Sequence, residues 1–237
     1  MNAHQFRVKI FADGADIAGM LEMHQNPLIK GFTTNPTLMR KAGITHYESF
    51  AHDILNAIPN RPVSFEVFSD DFDEMHQQAL KISQWGKNVY VKIPITNTQG
   101  ESSLELIREL ANENVKQNIT ALMTLEQVSS VCDALSSAPS SYISIFAGRI
   151  ADTGFDPLPL MQSALKIMSA HSHLELVWAS PRELFNIVQA NNIGCHIITV
   201  TNDILKKIPL LGKDLNQYSL ETVQMFRNDA VIAGYQL

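Results

Sequence analysis

Residues 89–94 read Val89-Tyr90-Val91-Lys92-Ile93-Pro94. Side chains alternate along a strand, so Val89, Val91 and Ile93 share one face, and Tyr90, Lys92 and Pro94 share the other. The β-branched face suits burial beneath helices, which turns Lys92 toward the inside of whatever the strand encloses. Working outward, similar short apolar runs recur at 7–12, 30–34 and 63–68 before it, and at 117–123, 142–147, 174–179 and 195–200 after it. Helical patterns separate them, over about 71–85, 101–112, 125–136, 158–170 and 182–191, with a further helix at 216–231. Eight strands alternating with helices imply parallel pairing through crossovers. The expected fold is α/β: a (β/α)8 TIM barrel, single domain over 1–237, with an extra C-terminal helix. A doubly wound open sheet competes, but the turn Ala12-Asp13-Gly14-Ala15 lacks a dinucleotide fingerprint.

Helix starts are marked chemically. Asn35-Pro36 and Asp156-Pro157 each set a capping residue before a proline at the first helical position. Thr124-x-x-Gln127 and Ser180-Pro181-Arg182-Glu183 read as capping boxes. Asp70, Asp71, Asp73 and Glu74 crowd a first turn, where the helix dipole favours acids, so a magnesium site is the weaker reading.

The chain's 237 residues match the roughly 250 of one such barrel. Hydrophobic residues make up 45% and charged residues 18%, which supports a packed core and argues against disorder. A net charge of -6 without any basic run disfavours nucleic-acid and anionic-membrane surfaces. The opening Met1-Asn2-Ala3-His4-Gln5-Phe6-Arg7 has no apolar signal-peptide core, and no apolar stretch reaches the length of a membrane span. Cys132 and Cys195 form no CxxC pair and read as small buried hydrophobes, so the expected setting is cytoplasmic. The histidines show no HExxH spacing, His171-Ser172-His173 included, and neither metal nor cofactor is expected.

Chemistry in such barrels sits where the strands end. Asp13, Thr33 and Asn35, Glu66, Lys92, Asn118 and Thr120, Ser144 and Phe146, Arg149, then Ser180 and Arg182 all fall at or near those ends. Each has a structural alternative. Lys92 could pair with Glu66 from the adjacent strand; alternatively, desolvation favours the neutral, nucleophilic amine. Asp13 could cap the turn at Gly14, Asn35 and Ser180 could only cap helices, Arg149 could lie at the surface, and Thr120 suits a strand.

These residues resemble the transaldolase family. The resemblance is carried by Phe11-Ala12-Asp13-Gly14-Ala15-Asp16, Gly31-Phe32-Thr33-Thr34-Asn35-Pro36, Val91-Lys92-Ile93-Pro94, Asn118-Ile119-Thr120, Ser144-Ile145-Phe146-Ala147-Gly148-Arg149 and Ala179-Ser180, in family order. It implies a class I, cofactor-free transfer of a dihydroxyacetone unit from a ketose phosphate (sedoheptulose 7-phosphate or fructose 6-phosphate) to an aldose phosphate. Lys92 would form a Schiff base with the ketose, Asp13 would be the acid/base, and Glu66 with Thr120 would position a water. Asn35, Asn118 and Ser144 would hold the hydroxyls of the transferred unit; Thr33 and Phe146 would line the substrate site. Arg149, Ser180 and Arg182 would take the phosphate. Relatives that act as fructose 6-phosphate aldolases, releasing free dihydroxyacetone, generally carry other residues where this chain has Glu66, Asn118 and Phe146, so transfer is expected over plain cleavage. The segments near Arg149 and Arg182 depart from the family pattern. Compact relatives often pack the C-terminal helix on a neighbouring subunit, which implies a homo-oligomer.

Overall fold

The structure, a computed structural model, describes residues 6–236; the reading of Met1 to Gln5 lies outside them. Eight parallel strands close a barrel in chain order: β1 (Lys9–Asp13), β2 (Ile29–Thr33), β3 (Val63–Glu66), β4 (Val89–Pro94), β5 (Gln117–Leu122), β6 (Ser141–Ile145), β7 (Leu174–Trp178) and β8 (Ile197–Thr201). The fold class read from the sequence stands. β4 falls on the anticipated residues, and the other edges move by up to two residues, the usual fraying of strand ends.

Strand alternation sorts the side chains as the period of two requires. Val89, Val91 and Ile93 join the main core beneath the helices Phe72–Ser83 and Leu104–Asn112, with Met75, Ala79, Ile107 and Leu110. Inside the barrel a second cluster comprises Phe11, Tyr90, Tyr142, Val177 and Ile197. Tyr90 and Tyr142 stack with ring centroids 4.0 Å apart, and Phe11 meets Tyr142 edge-on at 5.8 Å. Gly31 makes room for this layer: a Cβ there would lie 2.6 Å from the Phe11 ring.

Local chemistry sets most helix starts. Asn35 caps Pro36–Lys41 by accepting the Leu38 N–H at 3.0 Å, and Thr124 with Gln127 closes the anticipated capping box. The expected box at Ser180 does not form. Ser180 adopts a left-handed φ of 60°, and the helix starts only at Phe185 (Phe185–Asn192), because Asn186 Oδ1 accepts the N–H groups of Arg182 and Glu183 instead. Asp156 likewise stands one place before the cap, at Pro157, although its carboxylate accepts the Leu158 N–H. The helix Leu215–Ile232 follows the eighth strand and buries none of its residues, exposing Val223, Phe226 and Ile232. No helix among the described residues is long and apolar enough to cross a membrane.

Candidate active site

The interior residues one step beyond the aromatic layer are polar. Two positions after Tyr90 comes Lys92; two after Phe11, Asp13; two after Tyr142, Ser144; two after Ile197, Thr199. Strand register sets Lys92 beside Glu66 on one side and Asn118 on the other, and Pro94 beside Thr120.

Lys92 is 7% exposed. Its Nζ lies 3.0 Å from Glu66 Oε2 and donates to the Thr34 carbonyl at 3.2 Å. Glu66 is held from behind, since the Tyr47 hydroxyl donates to its backbone carbonyl at 2.8 Å. Asp13 accepts from Thr33 Oγ1 at 2.8 Å, and the Thr33 hydroxyl also meets that of Thr199. Burial pushes the Asp13 carboxyl above the usual carboxylate range; the Lys92 charge and the Thr33 hydrogen bond pull the other way without cancelling it.

A second network fixes the amide. Ser144 Oγ donates to Asn118 Oδ1 at 2.7 Å, and Asn118 Nδ2 donates to Ser64 Oγ at 3.0 Å. Thr120 is buried, and its hydroxyl has no hydrogen-bond partner among the described residues. A β5 irregularity follows it, with Ala121 at a left-handed φ of 67°. A buried hydroxyl left open on the strand next to Lys92 can take a water or a reacting oxygen as partner.

The far side of the mouth carries the arginines. Arg149 projects from the short helix Ala147–Asp152 with its guanidinium 5.6 Å from the Phe146 ring. It makes no hydrogen bond or ion pair among the described residues. Arg182 is bound at several points: Nε donates to Asp152 Oδ1 at 2.8 Å, Nη2 to Oδ2, and Nη1 to Ser180 Oγ at 2.9 Å. Gly148 permits this arrangement. A Cβ there would lie 1.6 Å from the Ser180 carbonyl oxygen and 3.4 Å from Arg182 Cζ, so helix and loop are in backbone contact.

The fold therefore gathers Lys92, Glu66, Asp13 and Thr33 directly, with Asn118 and Ser144 on the next two strands. Asn35 caps its helix, while its neighbour Thr34 supplies the carbonyl that Lys92 meets. Thr199, Ser64, Tyr47 and Asp152 were not singled out from sequence. The inward parity of Ser64 with Glu66 offered a signal for Ser64, and the same parity of Thr199 with Ile197 on β8 offered one for Thr199. Tyr47 and Asp152 reach their partners only through tertiary packing.

Chemically, the site offers a buried amine touching a carboxylate, a second carboxyl ready to hold a proton, and hydroxyl and amide groups spaced for a polyol. The sequence model of the family described as Transaldolase/Fructose-6-phosphate aldolase matches residues 10–235. A probable transaldolase of Dehalococcoides mccartyi is 33% identical over 202 residues, covering 85% of this chain and 90% of the relative. One from Methanococcus maripaludis is 31% identical over 215 residues, covering 89% and 95%. Among solved structures, a dihydrodipicolinate synthase from Rhodopseudomonas palustris superimposes with a TM-score of 0.59 at 12% identity, over 93% of this chain and 80% of that one. A putative phosphonomutase from Burkholderia cenocepacia gives 0.57 at 11%, over 96% of each. These two likenesses concern the barrel alone.

Proposed function

The chain belongs to the transaldolase/fructose-6-phosphate aldolase family, and on that premise we propose that it transfers a dihydroxyacetone unit between sugars through a Schiff base on Lys92. The amine adds to the C2 ketone of the donor and water leaves, giving an iminium. Asp13 takes the proton of the C4 hydroxyl, the C3–C4 bond breaks, and its electron pair enters the iminium as an enamine while an aldose departs. The enamine then attacks an acceptor aldehyde, Asp13 returns the proton to the new alkoxide, and water releases the product.

The observation that carries this reading is the burial of Lys92 within 3.0 Å of Glu66. An ammonium must surrender a proton before it adds to a carbonyl, and a carboxylate in contact can receive it. The unpartnered Thr120 hydroxyl supports a water shared with Glu66 for the dehydration and hydrolysis steps. The raised Asp13 pKa suits a group that must both accept and return a proton near neutrality. Glu66, Asn118 and Phe146 favour transfer over release of free dihydroxyacetone, and the curated relatives' names point the same way.

Borohydride reduction in the presence of fructose 6-phosphate, and separately of fructose, should leave a mass adduct on the peptide containing Lys92. An adduct on another lysine, or none with either sugar, refutes the mechanism. Product analysis with and without an added aldehyde acceptor separates transfer from cleavage. The exposed apolar residues of Leu215–Ile232 support packing of this helix on a second copy of the chain. Sedimentation should give a mass above one chain, and Val223→Glu with Phe226→Glu should reduce it; a monomeric wild type refutes that packing.

A further inference from the structure

Resting on the proposed transfer reaction, we infer that Thr199 is a positioning residue for Asp13: its hydroxyl orients that of Thr33, which in turn holds the Asp13 carboxylate for proton transfer at C4. Inward side chains of an eight-stranded barrel stack in layers of four, each layer drawn from alternate strands. Here the even strands supply Thr33, Lys92, Ser144 and Thr199, two residues beyond Gly31, Tyr90, Tyr142 and Ile197 respectively. Thr199 is as buried as Lys92, and Thr33 more so. The hydroxyls of Thr199 and Thr33 meet inside the barrel, from the two strands that flank β1.

Proton counting gives this contact a direction. A hydroxyl has one proton and two lone pairs, and an ionised carboxylate only accepts. Thr33 Oγ1 spends its proton on Asp13 Oδ1 at 2.8 Å, so toward Thr199 it offers a lone pair, and Thr199 donates. Thr33 is the one side-chain partner of the Thr199 hydroxyl among the described residues. The chain runs from Thr199 through Thr33 to Asp13, and each bond in it polarises the next where water is scarce. No described group bonds Asp13 Oδ2, which leaves that oxygen for the C4 hydroxyl. Without the Thr199 proton, Thr33 Oγ1 keeps an unfilled buried lone pair, and its own O–H is free to turn from Asp13. The Thr33 bond favours the ionised carboxylate against the larger effect of burial, so weakening it moves the Asp13 titration upward. The other charges acting on Asp13 are Lys92 and Glu66, and Asp16, Lys41 and Asp203 line the cleft beside it; replacing Thr199 removes none of them.

Thr199→Val removes the hydroxyl and keeps the β-branched shape, whereas Thr199→Ser keeps the hydroxyl. Matching circular dichroism checks folding, and Thr199→Ala takes the place of valine where valine disturbs it. Carbon-13 NMR of the carboxyls, with Asp13→Asn to identify the signal, reads the titration of Asp13 directly. Thr199→Val should raise its midpoint by about half a pH unit or more, and Thr199→Ser should leave it at the wild-type position. Thr33→Val should raise it at least as far, and adding Thr199→Val to that variant should shift it no further. Turnover uses glyceraldehyde as acceptor, with fructose 6-phosphate or fructose as donor, whichever leaves the borohydride adduct. Thr199→Val should lower kcat about tenfold, keep KM within about threefold and move the acid limb of kcat upward in pH. It should still leave the adduct on Lys92, because imine formation does not use Asp13. A titration unmoved by Thr199→Val, or moved equally with and without the Thr33 hydroxyl, overturns the inference. So does an unchanged kcat, or a serine variant that behaves as valine does. If neither sugar leaves an adduct on the wild type, the transfer reaction fails on its own, and the titration still decides whether Thr199 acts on Asp13.

Discussion

Breaking the Lys92–Glu66 pair from one side should cost more than removing both charges together. The ions lie 3.0 Å apart with side chains only 9% and 17% exposed. At an effective dielectric near 20, unit charges at that spacing attract by about 5 kcal/mol, and the desolvation of both ions consumes much of this. No other cation pairs with Glu66 among the described residues. Lys92→Met therefore strands a half-buried carboxylate, at a cost of about 3 kcal/mol. Glu66→Gln costs less, about 1–2 kcal/mol, because Lys92 keeps the Thr34 carbonyl and the nearby Asp13 charge. In the double variant neither stranded ion exists, and the loss should fall about 2 kcal/mol or more short of the sum. Equilibrium urea unfolding at pH 8 reads this, with far-ultraviolet dichroism and the fluorescence of Trp85 and Trp178 as two probes whose coincidence checks two-state behaviour. Additivity within about 0.5 kcal/mol would show that the two side chains do not sense one another, and the account of a paired, buried amine would be wrong.

Asp13→Asn should reduce kcat/KM by about 10²-fold or more by removing the proposed acid/base. Because burial raises the folded-state pKa of Asp13, the folded chain holds that proton more tightly than the unfolded one. The contribution to stability is then greatest below the unfolded carboxyl pKa near 4 and declines as pH rises through the folded value. Wild-type stability relative to Asp13→Asn should accordingly fall as pH rises above about 4, and a difference that rises instead contradicts the shift. Gly148→Ala drives a methyl into the Ser180 carbonyl oxygen, backbone against backbone. It should cost about 3 kcal/mol or more and weaken sugar binding by displacing Arg149; a variant as stable as the wild type refutes the close contact.

Much of the barrel could be read from the chain because its two periodicities are uninterrupted. In Val89 to Pro94 every outward residue is apolar, so strand, face and the inward direction of Lys92 follow together. The parity that placed Lys92 also placed Glu66, and their contact realises the ion pair that alternation alone allowed; family likeness was needed to see a nucleophile in it. The connection after β7 was not legible. Ser180-Pro181-Arg182-Glu183 has the spacing of a capping box, but a left-handed Ser180 and the side chain of Asn186 delay the helix to Phe185. Local pattern carries no trace of that competition. Nor could it reveal that Asp152, thirty residues from Arg182, would hold it. Asp16, which caps the helix Ile17–Gln25 by accepting the Gly19 N–H, carries neither a following proline nor a Glu or Gln three residues on to mark it.

The stacked rings of Tyr90 and Tyr142, with Phe11 edge-on and Val177 and Ile197 beside them, fill the barrel interior one layer below Lys92. On the proposed mechanism a sugar reaches Lys92 from the strand ends, the side away from that layer. Under the proposed transfer, a departing aldose would clear that side before an acceptor approached the enamine, a ping-pong order for the two sugars. It also makes the interval between them the moment at which stray water competes for the captured fragment.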